Sequence, residues 1–217
     1  MVHAILFDLD NTLADRSFAH RRYCEEFARR FLSDWPERQQ RRAIGEMVDH
    51  DDFGYSDRIR YCEWLASRFP RTGLSGDAIW KDYRALLPGL FRPTPSVDEL
   101  IERLESRFVL AVVTNGSSAG QRAKLARTRL AGRFQHVIIS GECGFEKPSP
   151  KIFHRALAAA GCEAGDAMFV GDDPVRDVQG AAAVGMTTCW VSGGRDFPGQ
   201  LRPPDRIITS LREWEGP

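Results

Sequence analysis

The sequence predicts an α/β fold, a parallel sheet with helices on both faces, interrupted after its first strand by an all-helical module. Three observations carry this reading. Over residues 1–14 and 94–217, short β-branched apolar runs alternate with amphipathic stretches, the pattern of doubly buried strands joined by crossover helices. Residues 16 to about 92 lack such runs and are rich in Arg, Glu, Asp and aromatics at helical spacing. Several apolar runs also end abruptly in polar residues, at the sheet edge where open α/β proteins bind ligands.

In chain order, the first strand is predicted over His3–Phe7. Helices follow near Phe18–Leu32, Glu37–His50, Ser56–Phe69 and Gly76–Leu87, punctuated by Pro36, Gly54, Pro70, Gly73, Pro88 and Gly89. Pro93 and Pro95 mark the return to the alternating pattern. Helices near Ser96–Ser106, Ser118–Leu130, Pro150–Ala160 and Pro174–Val184 then alternate with strands over Phe108–Val113, His136–Ile139, Ala167–Val170, Thr187–Val191 and Arg206–Ile208. The chain thus divides into residues 1–15 with 93–217, and an insert over 16–92.

Composition narrows the function. The 217 residues carry thirty basic and thirty acidic side chains, for a formal charge of zero. A dedicated nucleic-acid binder normally keeps a positive balance, so no nucleic-acid partner is expected. Apolar runs reach only about seven residues, too short to cross a bilayer. The N-terminus MVHAILFDLDNTLA has no basic n-region and carries two carboxylates, unlike a secretory signal. Five cysteines without paired spacing suit reduced thiols and a cytoplasmic protein. Twenty-six of the thirty basic residues are Arg and four are Lys.

Four motifs carry chemistry. In the first, the strand runs into Asp8 and Asp10. Residues two apart on an extended strand point the same way, so the carboxylates repel, and a hard cation such as Mg²⁺ relieves them. A strand end with an Asx turn accounts for the pair equally well. In the second, a strand ends at Thr114-Asn115-Gly116 before a helix whose free N–H groups suit an anion; an ordinary cap at Ser117 or Ser118 is the simpler account. In the third, Lys147 precedes a proline-started helix, where it either offsets anionic charge or lies solvated. In the fourth, a strand ends at Gly171-Asp172-Asp173, with Asp177 one turn on, and capping by Asp173 explains part of it.

Taken together and in this order, FDLDNTL, VVTNG, GFEKPSPKIF and FVGDDPVRD resemble the haloacid dehalogenase-like hydrolase superfamily, over about 140 residues of core. The fold implied is a Rossmann-like core, and the insert over 16–92 resembles the helical cap of the type-I-capped phosphatase branch. The resemblance implies that Asp8 is the nucleophile forming an aspartyl-phosphate and Asp10 the general acid and base. It implies that Thr114, with amides of Asn115 or Asp10, holds phosphate, and that Lys147 stabilises the charge on Asp8 and the phosphoryl group. Mg²⁺ is expected on Asp8, the Asp10 carbonyl and Asp172, with Asp173 or Asp177 orienting its waters. Thr12 is expected to buttress the turn after Asp10. Asn11 stands where many members carry Gly.

Dehalogenases of the superfamily lack an acid at the place of Asp10, so its presence favours phosphoryl transfer. The resemblance implies a small phosphorylated metabolite as substrate of a monomer or homodimer. A phosphomutase, or a non-catalytic phospho-accepting regulator, is the alternative. The cap is expected to exclude water and contact the leaving group. Arg16, Ser17, His20 and Arg21 are the candidates, Arg16 first, against the competing reading of a solvated surface arginine.

Overall fold

The computed structural model describes residues 2–217. In chain order the main elements are β1 (Ala4–Phe7), α1 (Arg16–Phe31), α2 (Glu37–His50), α3 (Arg58–Arg68), α4 (Gly76–Leu86), α5 (Pro95–Glu105), β2 (Val109–Thr114) and α6 (Ser118–Arg127). They continue with β3 (His136–Ile139), the single turn α7 (Ser140–Cys143), α8 (Pro150–Ala160), β4 (Ala167–Gly171), α9 (Gly180–Ala183), β5 (Thr187–Val191) and β6 (Arg206–Ile208). The residues form two compact units: the chain through Ala14 together with Pro93–Pro217, and Asp15–Arg92.

The first unit is built on a six-stranded sheet in the order β3-β2-β1-β4-β5-β6, with every adjacent pair parallel. β1 is completely buried, as its apolar sequence requires. Alternate side chains serve the two faces. Ala4, Leu6, Ala111, Val113, Ala167 and Phe169 pack with Ile152, Phe153 and Ala156 of α8. On the other face Phe7 meets the rings of Phe134 and Trp214 edge-on. Burying a side chain the size of Phe153 contributes roughly 2–3 kcal/mol. The chain winds outward from β1 through β2 to β3, then crosses back to β4. The switch in direction lies between β1 and β4, the place where open α/β sheets bind ligands. The α/β architecture expected from the sequence is therefore the one adopted.

The second unit holds α1–α4 around an aromatic core of Tyr23, Phe27, Tyr61, Phe69 and Tyr83. Its α1 begins at Arg16, two residues before the predicted start, because the Asp15 carboxylate accepts a hydrogen bond from Phe18 N and caps it. In the first unit, the helix predicted over Pro174–Val184 is split. Pro174–Gln179 winds as a wide π-helical turn before α9. Asp173 accepts from the N–H groups of Val175 and Arg176, both at 2.8 Å, while Asp177 is drawn inward to Lys147. No helix among the described residues is long and apolar enough to cross a membrane.

Candidate active site

Three neighbouring strands deliver carboxylates, a hydroxyl and an amide to one edge of the sheet. Asp8 follows β1 directly, and its N–H donates to Val170 O of β4 at 2.9 Å. Thr114 ends β2 and Asp172 follows β4. Strand register brings these groups to the same end of the sheet, because Phe7 aligns with both Val112 and Val170, which puts Thr114 and Asp172 one residue beyond the level of Asp8.

Lys147 lies between two carboxylates. Its ammonium donates to Asp8 Oδ1 and to Asp177 Oδ1, each at 2.6 Å, and the side chain is only 2% exposed. The Asn115 amide fixes the backbone that carries it: Asn115 Oδ1 accepts from Lys147 N at 2.8 Å, and Asn115 Nδ2 donates to Lys147 O at 2.9 Å. Asn115, expected to offer a backbone amide to phosphate, thus uses its side chain to hold the lysine loop. Asp177 Oδ2 accepts from Asp173 N at 3.0 Å. This inward reach requires Gly171, since a Cβ there would collide with the Asp177 carboxylate.

Asp8, Asp172 and Asp177 bring carboxylate oxygens within 4.8 Å of one another, all buried. Asp173, expected among the residues around the metal, caps the turn through Oδ1. Burial pushes Asp8 up to about 7; Lys147 pulls it down, but Asp177 and Asp10 push it up again. Burial likewise raises Asp177 against the pull of Lys147. Burial would lower Lys147, but Asp177 and Asp8 together hold it above its ordinary value. The cluster therefore keeps Lys147 cationic, while the two carboxylates beside it resist ionisation for want of further positive charge. Hard oxygen donors in an electronegative, buried setting fit a divalent cation such as Mg²⁺.

Asp10 sits on the turn after β1. Asn11 beside it has φ 58°, a left-handed conformation that Asn tolerates better than most side chains. The hydroxyl of Thr12 is buried and makes no hydrogen bond among the described residues, so it does not brace the turn as expected. The Asp10 carboxylate is held by α6. Lys124 Nζ donates to Oδ1 at 2.8 Å and Oδ2 at 2.6 Å, and Gln121 Nε2 donates to Oδ2 at 3.2 Å. The same Gln121 nitrogen donates to Thr114 Oγ1 at 2.5 Å.

Four of these residues escaped the sequence reading. Lys124 and Gln121 lie in a helix with no conspicuous motif. Trp190 Nε1 donates to Asp172 O at 2.8 Å, and Arg195 Nη2 lies 3.1 Å from that oxygen and 3.5 Å from Asp172 Oδ2. One signal was available: lysine is rare in this chain, and two of its four lysines are buried against the acid pair.

Arg16 and His20 belong to the helical unit. The Arg16 guanidinium grips Asp51 through two bonds of 2.6 and 2.9 Å and donates to Tyr83 OH at 2.9 Å. It is 7% exposed, which excludes a solvated surface arginine. His20 is 1% exposed, with Nδ1 3.2 Å from Tyr83 OH and Nε2 3.2 Å from Tyr61 OH. Arg58 also pairs with Asp51. Burial would raise Asp51, but the hydrogen bonds and charge of Arg16 prevail and hold it well below the usual carboxylate range. Burial lowers His20 to about 4 despite the pull of Asp51.

The family model described as haloacid dehalogenase-like hydrolase matches residues 5–191. The chain is 32% identical over 214 residues to glyceraldehyde 3-phosphate phosphatase of Pyrococcus abyssi, covering 90% of this chain and 83% of that protein. It is 29% identical to phosphoserine phosphatase of Thermus thermophilus, covering 96% of each. Among solved structures it resembles a phosphatase of the same superfamily from Thermococcus onnurineus, with a TM-score of 0.66 and 27% identity over 98% of this chain and 95% of that one.

Proposed function

Because this chain belongs to the haloacid dehalogenase-like hydrolase family, we propose that it is of the type-I branch and hydrolyses small phosphate monoesters through an aspartyl-phosphate on Asp8. The observation that carries this reading is the Lys147 ammonium clamped between buried Asp8 and Asp177, beside Asp172. A cation in that position keeps one carboxylate oxygen oriented and offsets the charge that builds up when a phosphate dianion approaches.

The reaction has two halves. An Asp8 carboxylate oxygen bonds to phosphorus while the bond from phosphorus to the ester oxygen breaks, and protonated Asp10 gives its proton to the departing alkoxide. Water then attacks the same phosphorus, Asp10 takes back a proton, and the acyl–phosphate bond breaks to return Asp8 and release phosphate. Thr114 offers its hydroxyl to a phosphoryl oxygen. Lys147 holds Asp8 throughout and shares the phosphoryl charge. Asp8, Asp172 and the Asp10 carbonyl would hold Mg²⁺, with Asp177 beside them; the ion supplies further charge neutralisation to the phosphoryl oxygens when bound. Asp10 supports hydrolysis of an ester over loss of halide, since an alkoxide needs a proton on departure and a halide does not. The helical unit is read as the cap of this branch.

The relatives' names put three-carbon phosphates such as glyceraldehyde 3-phosphate and phosphoserine at the head of a substrate panel. The test is phosphate release across that panel, with Mg²⁺ and with chelator, for the wild type and Asp8→Asn. Metal-dependent release by the wild type and none by the variant are expected, with an unchanged circular dichroism spectrum. Undiminished turnover by Asp8→Asn would exclude Asp8 as the nucleophile. Interconversion of sugar phosphates without release would instead identify a mutase.

A further inference from the structure

Helix α6 buries an unusual set of side chains. Residues 121, 124, 125 and 128 form its inward stripe, at the spacing of one helical face. Three of the four are polar: Gln121, Lys124 and Thr128. Residues of these types are rarely buried unless they are paired. Thr128 satisfies its hydroxyl within the helix, on Lys124 O at 2.8 Å. Gln121 and Lys124 instead reach out of the helix to the edge of the sheet, and both end on the Asp10 carboxylate.

We infer that Lys124, assisted by Gln121, is a positioning residue that holds the Asp10 carboxylate in place for proton transfer, an inference that rests on the reading of Asp10 as the acid and base above. Lys124 faces both carboxylate oxygens at 2.6–2.8 Å and fixes the place of the group, while Gln121, bonded to Oδ2 alone at 3.2 Å, sets its rotation. Gln121 links that carboxylate to the Thr114 hydroxyl through one nitrogen, which couples the acid to a phosphate-binding group. Gly116 keeps the space open: its φ of 144° suits glycine, and a Cβ there would lie 3.0 Å from the Gln121 side chain. The use of Lys in an arginine-dominated chain fits a compact ammonium better than a broad planar fork.

The experiment compares wild type, Lys124→Met and Asp8→Asn, with Mg²⁺, on two esters. One is p-nitrophenyl phosphate, whose leaving group departs without a proton. The other is the alkyl monoester of the panel that the wild type turns over fastest. For Lys124→Met, kcat on the alkyl ester is expected to fall about a hundredfold with KM within about threefold. The first-turnover burst of p-nitrophenolate should keep its rate within about threefold, because bond cleavage there does not await Asp10. An equal first-turnover loss on both esters, or no loss on either, overturns the inference. If Lys124→Met does not fold, Lys124→Ala is read with added ethylammonium: recovery of alkyl-ester turnover, absent with tetramethylammonium, supports positioning by an N–H donor, and no recovery overturns it. Failure of the underlying reading looks different, since Asp8→Asn would then retain activity or the wild type would release no phosphate from either ester, which overturns both.

Discussion

Lys147 and Lys124 each neutralise one member of the Asp8–Asp10 pair, but they were not equally visible. Lys147 stands in a motif, next to a proline and before a helix, and the resemblance names it. Lys124 meets its carboxylate across 114 residues of chain, and nothing local marks it as different from a surface lysine on a helix. At Lys147 the consequence is a charge-balance prediction. Lys147→Met leaves Asp8 and Asp177 buried with no cation between them. Breaking a buried pair by removing one partner costs about 3–5 kcal/mol, so urea unfolding should move by that amount and phosphate release should vanish. Unchanged stability would mean that the carboxylates had been neutralised by protons or by another counter-charge.

At the scale of elements, helix and strand ends carry the chemistry. The β1 and β4 ends bring Asp8 and Asp172 to the switch point of the sheet, and this much follows from a sequence of apolar runs that stop at acids. In the helical unit, Asp51 just after α2 joins Arg16 at the start of α1 and Arg58 at the start of α3. None of the three stands in a motif, and the sequence suggested a substrate role for Arg16 only from its position after the first strand. Asp51→Asn keeps the shape but leaves two guanidinium groups without their shared anion. A loss of about 3–5 kcal/mol is expected in denaturant unfolding, because Arg16 and Asp51 are both buried. A change below about 1 kcal/mol, the range of surface pairs, would show that solvent screens this junction.

At the scale of the whole molecule, the two units respond to pH with opposite signs. Asp8 titrates in the folded core near 7 against an ordinary 3.8. Between those values the folded core holds a proton that the unfolded chain has lost, so its stability falls as pH rises through the window. His20 titrates near 4 against an ordinary 6.5. Between those values the unfolded chain holds the extra proton, so the helical unit loses stability as pH falls, by at most roughly 3 kcal/mol for a shift of this size. Hydrogen-exchange protection in metal-free protein should therefore drop in α1–α4 relative to the sheet on going from pH about 7 to about 4.5, and His20→Gln should flatten that drop. Parallel changes in both units would refute the opposition. The sequence by itself determined the α/β core, the order of its elements and the residue types at the strand ends, because apolar periodicity and turn chemistry act over a few neighbours. Only the tertiary structure decided that Lys124 and Gln121 serve Asp10, that Asp177 turns inward to Lys147 over Gly171, that Asn115 clamps the lysine loop, and that Arg16 binds Asp51. Each of these is a pairing between side chains distant in the chain, and a buried charge takes whichever partner the packed fold brings within reach.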